Sequence, residues 1–161
     1  MIFVGIDLGF SGAIAEIDGL GHVTLVKDMF TSTVAVGKRT RTTYDFSAVS
    51  GLLRDLHPSA VCVEDIFHLG FRGSLAARAA GMGWGMVRTV CALCEIPVLA
   101  VSPREWQRVM LAGRARGKGA SRARAEELFP GADLGPKGSE GRAEALLLAE
   151  YGRRMQCSGA S

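Results

Sequence analysis

The feature that most restricts this fold lies in the first 28 residues, where three apolar runs follow one another with no helical period between them. Residues 2–7 (IFVGID), then GAIAEI, then HVTLVKD read as strands, the last two joined across DGLG by a turn in which glycine supplies positive φ. The pattern then changes. Asp45 is a candidate N-cap, and Phe46, Val49, Leu52, Leu53 and Leu56 recur at helical spacing until His57-Pro58 stops the run. SAVCVE is a short buried strand ending at Glu64, Ser74 to Leu93 is helical, and PVLAV is a fifth strand. Short helices follow over 104–111 and 121–129, and a last one runs from Glu140 to about Arg154. Residues 30–43, FTSTVAVGKRTRTT, hold no sustained period and read as a mobile basic loop. A hairpin meander followed by βαβ crossovers predicts an α/β domain with a five-stranded mixed sheet flanked by helices. A single domain is expected over residues 1–155, with 156–161 a disordered tail.

Two strands of this scheme end in acids. Asp7 closes the first strand and Glu64 the fourth, and since both strands run the same way their carboxylates project together if the strands are neighbours. Glu140 and Glu144 stand four apart on the last helix, on one face. Two such charges about 5 Å apart repel by roughly 3 kcal/mol at an effective dielectric near 20, so a cluster of four calls for cations. Oxygen-only ligands suit Mg²⁺ or Mn²⁺, and a pair of ions about 3.5–4 Å apart is suited to phosphodiester hydrolysis. Each acid also has an ordinary reading. Asp7 could cap its own turn, Glu64 could pair with Arg72, Glu140 could serve a helix dipole, and Glu144 could pair with Arg104.

Charge narrows the partner. The net charge is +3, yet the stretch from Arg104 to Arg124 carries +6 and the rest of the chain −3. Within it Arg114, Arg116, Lys118, Arg122 and Arg124 are candidate phosphate contacts, joined by Lys38, Arg39 and Arg41 of the earlier loop. A basic stripe beside an acidic cluster suits metal ions meeting a phosphate backbone. No apolar run approaches the roughly 18 to 20 residues of a membrane span, the opening MIFVGIDLG lacks a secretory n-region, and four cysteines are few for a disulfide scaffold. A reduced, cytoplasmic protein with no membrane contact is expected; the Cys91/Cys94 pair is a weak zinc signal because structural zinc takes four ligands.

Taken in order, GIDLGFSGA, VCVEDIF, SLAARAAGMGWGMV, VSPREWQRVML, GKGASRARAEELFP and EGRAEALLLAEYGRR make the chain resemble the RuvC-type crossover-junction endodeoxyribonucleases of the RNase H-like superfamily, especially their short phage-encoded relatives. The resemblance implies a two-metal site of Asp7, Glu64, Glu140 and Glu144 binding Mg²⁺ or Mn²⁺, branched DNA such as a four-way (Holliday) junction as substrate, and a homodimer. It departs at the last helix, where relatives usually carry Asp or His in place of Glu140 and many carry Asp in place of Glu144. The helix from Ser74 to Leu93, with Met82, Trp84 and Met86, is the candidate pairing surface, Phe67 and Phe71 are candidate contacts at the branch point, and Arg72 is a further candidate DNA contact. Two other classes compete: a phosphotransferase of the actin-like kinase group, which opens with a similar glycine-flanked Asp but needs more than twice this length, and a junction-binding protein without catalysis.

Overall fold

In the computed structural model, which describes residues 1–68, 73–114, 117 and 119–158, the seven strands are β1 (Ile2–Asp7), β2 (Ala13–Asp18), β3 (Val23–Asp28), β4 (Thr31–Val36), β5 (Arg39–Tyr44), β6 (Ala60–Glu64) and β7 (Val98–Val101). The helices are α1 (Phe46–Leu56), α2 (Ser74–Leu93), α3 (Pro103–Met110), α4 (Ala120–Leu128) and α5 (Gly141–Ser158), with a 3-10 turn at Ile66–His68. Five strands form one sheet in the order β3-β2-β1-β6-β7. The meander β1-β2-β3 is antiparallel, while β6 runs parallel to β1 and β7 parallel to β6. This is the mixed sheet expected from the order of elements.

Alternation along each strand divides the core in two. Phe3, Ala60 and Cys62 join Trp106, Leu146 and Ala149 under α3, α4 and α5. Their neighbours Val4, Ile6, Val61 and Val63 join Val49, Leu53, Met86 and Val87 under α1 and α2. Gly5 lets α5 lie directly on β1: a Cβ there would sit 2.0 Å from the Ala145 carbonyl oxygen and 2.3 Å from the Ala149 nitrogen. The helices start where their caps say. Asp45 accepts from the Ala48 N–H at 2.9 Å to open α1, and Ser102 accepts from the Glu105 N–H at 3.3 Å, with Pro103 behind it, to open α3.

Three expectations are corrected. Residues 31–44 are a two-stranded antiparallel ribbon, β4 with β5, in register from Thr31↔Tyr44 to Val36↔Arg39 and turning at Gly37 (φ 62°). Both faces of the ribbon meet solvent over most of its length, so there is no hydrophobic period to read, and only the Thr and Val content favours strand. Helix α5 continues to Ser158, past the point where a disordered tail is expected; residues 159–161 lie outside the described ones. Met86, a candidate for a dimer surface, is 2% exposed and packed inside the chain's own core. Gly83 is buried too, since a Cβ on it would lie 2.6 Å from Tyr44 Oη, while Met82 and Trp84 pack partly against the same core. Among the described residues no helix is long and apolar enough to cross a membrane.

Candidate active site

Parity puts the two strand-end acids on one side of the sheet. Gly5 faces α5, so Asp7, two residues on, faces it also; Cys62 lies in the α5 core, so Glu64 follows it. The β1–β6 register pairs Gly5 with Cys62 and Ile6 with Val63, and one further step sets Asp7 beside Glu64. Helix α5 begins over this edge. A Cβ on Gly141 would lie 3.1 Å from Asp7 Oδ2 and 2.9 Å from the Ser11 carbonyl oxygen, so only glycine allows the helix to start so close. Arg142 fixes that start: Nε and Nη2 reach the two Asp28 oxygens at 2.6 and 2.9 Å, and Nη1 meets Asp133.

Asp7, Ser11, Ser139, Glu140 and Glu144 line a cleft of about 430 Å³. Glu64 is held from the other side by the indole of Trp106, whose Nε1–H donates to Oε1 at 2.5 Å from a fully buried ring. Glu144 accepts from the hydroxyl of buried Ser121 at 3.2 Å. Burial, then the charges of Glu144 and Glu64, raise the Asp7 carboxyl well above the usual range. Burial also raises Glu64, against the opposing indole hydrogen bond. Glu144 is pushed up to about 7 by burial and the Glu64 charge, with Ser121 opposing and the Glu140 charge adding to the rise. Asp7, Glu64 and Glu144 therefore feel one another, and none of them has an ion-pair partner among the described residues. No group of three acids, histidines or cysteines among those residues stands as a ready-made cation cage. The donor set nonetheless suits a hard divalent ion, being all oxygen and short of positive charge.

Glu140 behaves differently. Although it lines the cleft, its carboxylate accepts from the backbone N–H of Gly119 at 3.0 Å and of Arg122 at 3.3 Å. It caps α4, whose own N-cap Gly119 has no side chain to do so.

No family model matches the sequence, and no curated protein does. Solved structures do match. A structure of T. thermophilus RuvC in complex with a Holliday junction substrate aligns with a TM-score of 0.66 at 19% identity, covering 97% of this chain and 96% of that one. Thermus thermophilus RuvC in another structure aligns with a TM-score of 0.61 at 20% identity, covering 97% of both chains. The chain has a RuvC-like, RNase H-like fold.

On this RuvC-like fold the predicted basic residues separate into two groups. Arg122 reaches Glu126 at 3.2 Å and the carbonyls of Leu134, Gly135 and Pro136 at 3.0–3.1 Å. Arg124 donates to the Met110 carbonyl and to Glu127, and Arg114 also meets Glu127. These three, expected to contact phosphate, instead tie α4 to its surroundings through Glu126, Glu127 and backbone carbonyls. Lys38, Arg39 and Arg41 are exposed on the β4–β5 ribbon. Phe67 is 80% exposed and meets Trp84 edge-on at 6.1 Å, with the Arg88 guanidinium 5.8 Å from the Trp84 ring. Phe71, Arg72, Arg116 and Lys118 lie outside the described residues. Trp106 and Ser121 carry roles that sequence reasoning missed. A buried indole needs an acceptor, which was a usable signal for Trp106; nothing in the sequence singles out Ser121.

Proposed function

We propose that this protein is a divalent-metal-dependent endonuclease that hydrolyses phosphodiesters of branched DNA, with four-way junctions as the leading substrate. The observation that carries the reading is the convergence of Asp7, Glu64 and Glu144 on one sheet edge, each without an ion-pair partner among the described residues. The RuvC-like fold supports it, since one of the aligned structures is of a RuvC bound to a Holliday junction substrate. Two Mg²⁺ or Mn²⁺ ions bound there would supply an activated water and stabilise the leaving oxygen. Asp7 and Glu64 are set by the paired strands β1 and β6, Trp106 orients Glu64, and Glu144 enters from the first turn of α5. Phe67, three residues beyond Glu64 in sequence and exposed, would stack on a base unpaired at the branch. Symmetric incision of two strands by a domain with one acidic cluster calls for a homodimer.

The test is incubation of the purified protein with labelled four-way junction, flap and linear duplex in Mg²⁺ and in Mn²⁺. Cutting of the branched substrates is expected, and Asp7→Asn should lower it by about 10²-fold or more, at least the cost of a 1 Å misplacement, with DNA binding retained. A second reading is favoured by the capping of α4 by Glu140, which engages both oxygens of one acid lining the cleft with backbone amides: a junction-binding protein that does not cut. Binding with no cleavage in either metal would select it.

A further inference from the structure

The β4–β5 ribbon contributes nothing to either core beyond its root, and an isolated two-stranded ribbon is marginal in water. Its root is firmly held. Tyr44 is 2% exposed, donates its hydroxyl to the Ala79 carbonyl at 2.9 Å and packs its ring 5.0 Å from Phe10, while the Asp45 N–H donates to the Phe30 carbonyl at 2.9 Å. Phe10 lies in the turn that follows Asp7, so whatever the ribbon holds is held at a set offset from the acidic cluster.

The two faces differ in chemistry. The register places Val34 opposite Arg41 and Val36 opposite Arg39, so one face carries both arginines and two valines that are 43% and 53% exposed. The other face carries Thr33, Ala35, Thr40 and Thr42. Residues 31–43 contain Lys38, Arg39 and Arg41 and no acid, and none of the three cations has an ion-pair partner among the described residues.

We propose that this ribbon lies in the major groove of one duplex arm, with the Arg39/Arg41 face turned to the base edges. Two strands about 4.8 Å apart, widened by their side chains, match a groove about 12 Å wide, which is known to admit such a ribbon. Arg39 and Arg41 are two residues apart, about 6.8 Å, the span of roughly two base steps at 3.4 Å each. Arginine pairs in bidentate fashion with guanine O6 and N7, and valine suits the thymine methyl. The ribbon thereby reads sequence in an arm, separately from recognition of the branch. This rests on the DNA-directed reading above but not on cleavage.

The experiment uses the full chain without divalent metal, bound to a four-way junction and to linear duplex, with guanine N7 methylation protection and a salt titration as readouts. The unmodified protein should protect N7 positions in an arm. Arg39→Gln with Arg41→Gln should abolish that protection and weaken binding by about 10- to 100-fold, and a chain in which residues 33–42 are replaced by a short Asn-Gly turn should do the same. Circular dichroism checks that both variants fold. Unprotected N7 positions with only a reduced salt slope would show that the ribbon grips phosphates and would overturn the groove assignment. Unchanged affinity and protection in both variants would overturn it as well. Failure of the unmodified protein to bind any DNA overturns this proposal and the nuclease reading together, whereas protection without cleavage in metal sinks only the latter.

Discussion

Glu64 owes its orientation to Trp106, a residue 42 positions away that donates its only polar hydrogen to the carboxylate. Trp106→Phe keeps the buried ring and removes the donor. Partners of this kind around metal ligands are worth about 10- to 100-fold in metal affinity, so the variant should bind Mn²⁺ that much more weakly while remaining folded. Calorimetric titration reads this directly, and equal Mn²⁺ affinity in the two proteins would reduce the indole to packing. The raised carboxyls also dictate a pH dependence. Unfolded Glu144 ionises near its ordinary 4.5 whereas the folded protein holds the proton up to about 7. The unfolded chain therefore binds fewer protons across that window, and stability falls as pH rises through it. At about 1.4 kcal/mol per unit the Glu144 shift alone is on the order of 3 kcal/mol. Without metal, the protein should melt at a lower temperature at about pH 8 than at about pH 5, and Mg²⁺ should narrow the gap. A melting temperature that climbs over the same range would contradict the raised carboxyls of the cluster.

Helix α4 is where the elements trade partners. Its N-terminus begins with glycine and has no capping side chain of its own, so Glu140 supplies the acceptor from across the cleft. The extra methylene of glutamate over aspartate lengthens this reach. Glu140→Ala should cost about 1 kcal/mol and speed hydrogen exchange at the Gly119 and Arg122 amides, while Glu140→Gln, which keeps an acceptor oxygen, should retain most of the protection. Exchange rates unmoved by Glu140→Ala would mean the cap is idle. The same helix explains why its arginines are poor candidates for phosphate contact: Arg122 satisfies three carbonyls of the loop before α5, and Arg124 closes the end of α3.

At the scale of the molecule, α2 presents one side to the sheet and another to solvent. Met86, Val87 and Val90 are buried, whereas Gly81 and Gly85 have nothing within 4 Å of where a Cβ would stand, and Leu75 and Leu93 are 60% and 81% exposed. If two protomers pair, this outer side is the available one, and Gly85→Arg is the substitution that interrupts it without touching the core. Light scattering should give twice the 17.1 kDa monomer for the unmodified protein and the monomer for Gly85→Arg. An arginine two residues earlier, at Gly83, would instead drive into Tyr44. A monomeric unmodified protein at micromolar concentration, with and without junction DNA, would end the paired-incision scheme.

The order of apolar runs was enough to determine the mixed sheet, because period two and period 3.6 are local properties of the chain. It also placed acids at the ends of β1 and β6, and the parity of the preceding residues decided which face they take. Local pattern carries no record of the partners a long side chain finds across space. Tertiary structure alone sent Glu140 to α4, bound Arg114, Arg122 and Arg124 to acids and carbonyls, turned Met86 inward and set Trp106 on Glu64. The ribbon escaped the sequence for the related reason that a strand exposed on both faces has no buried side to impose a period.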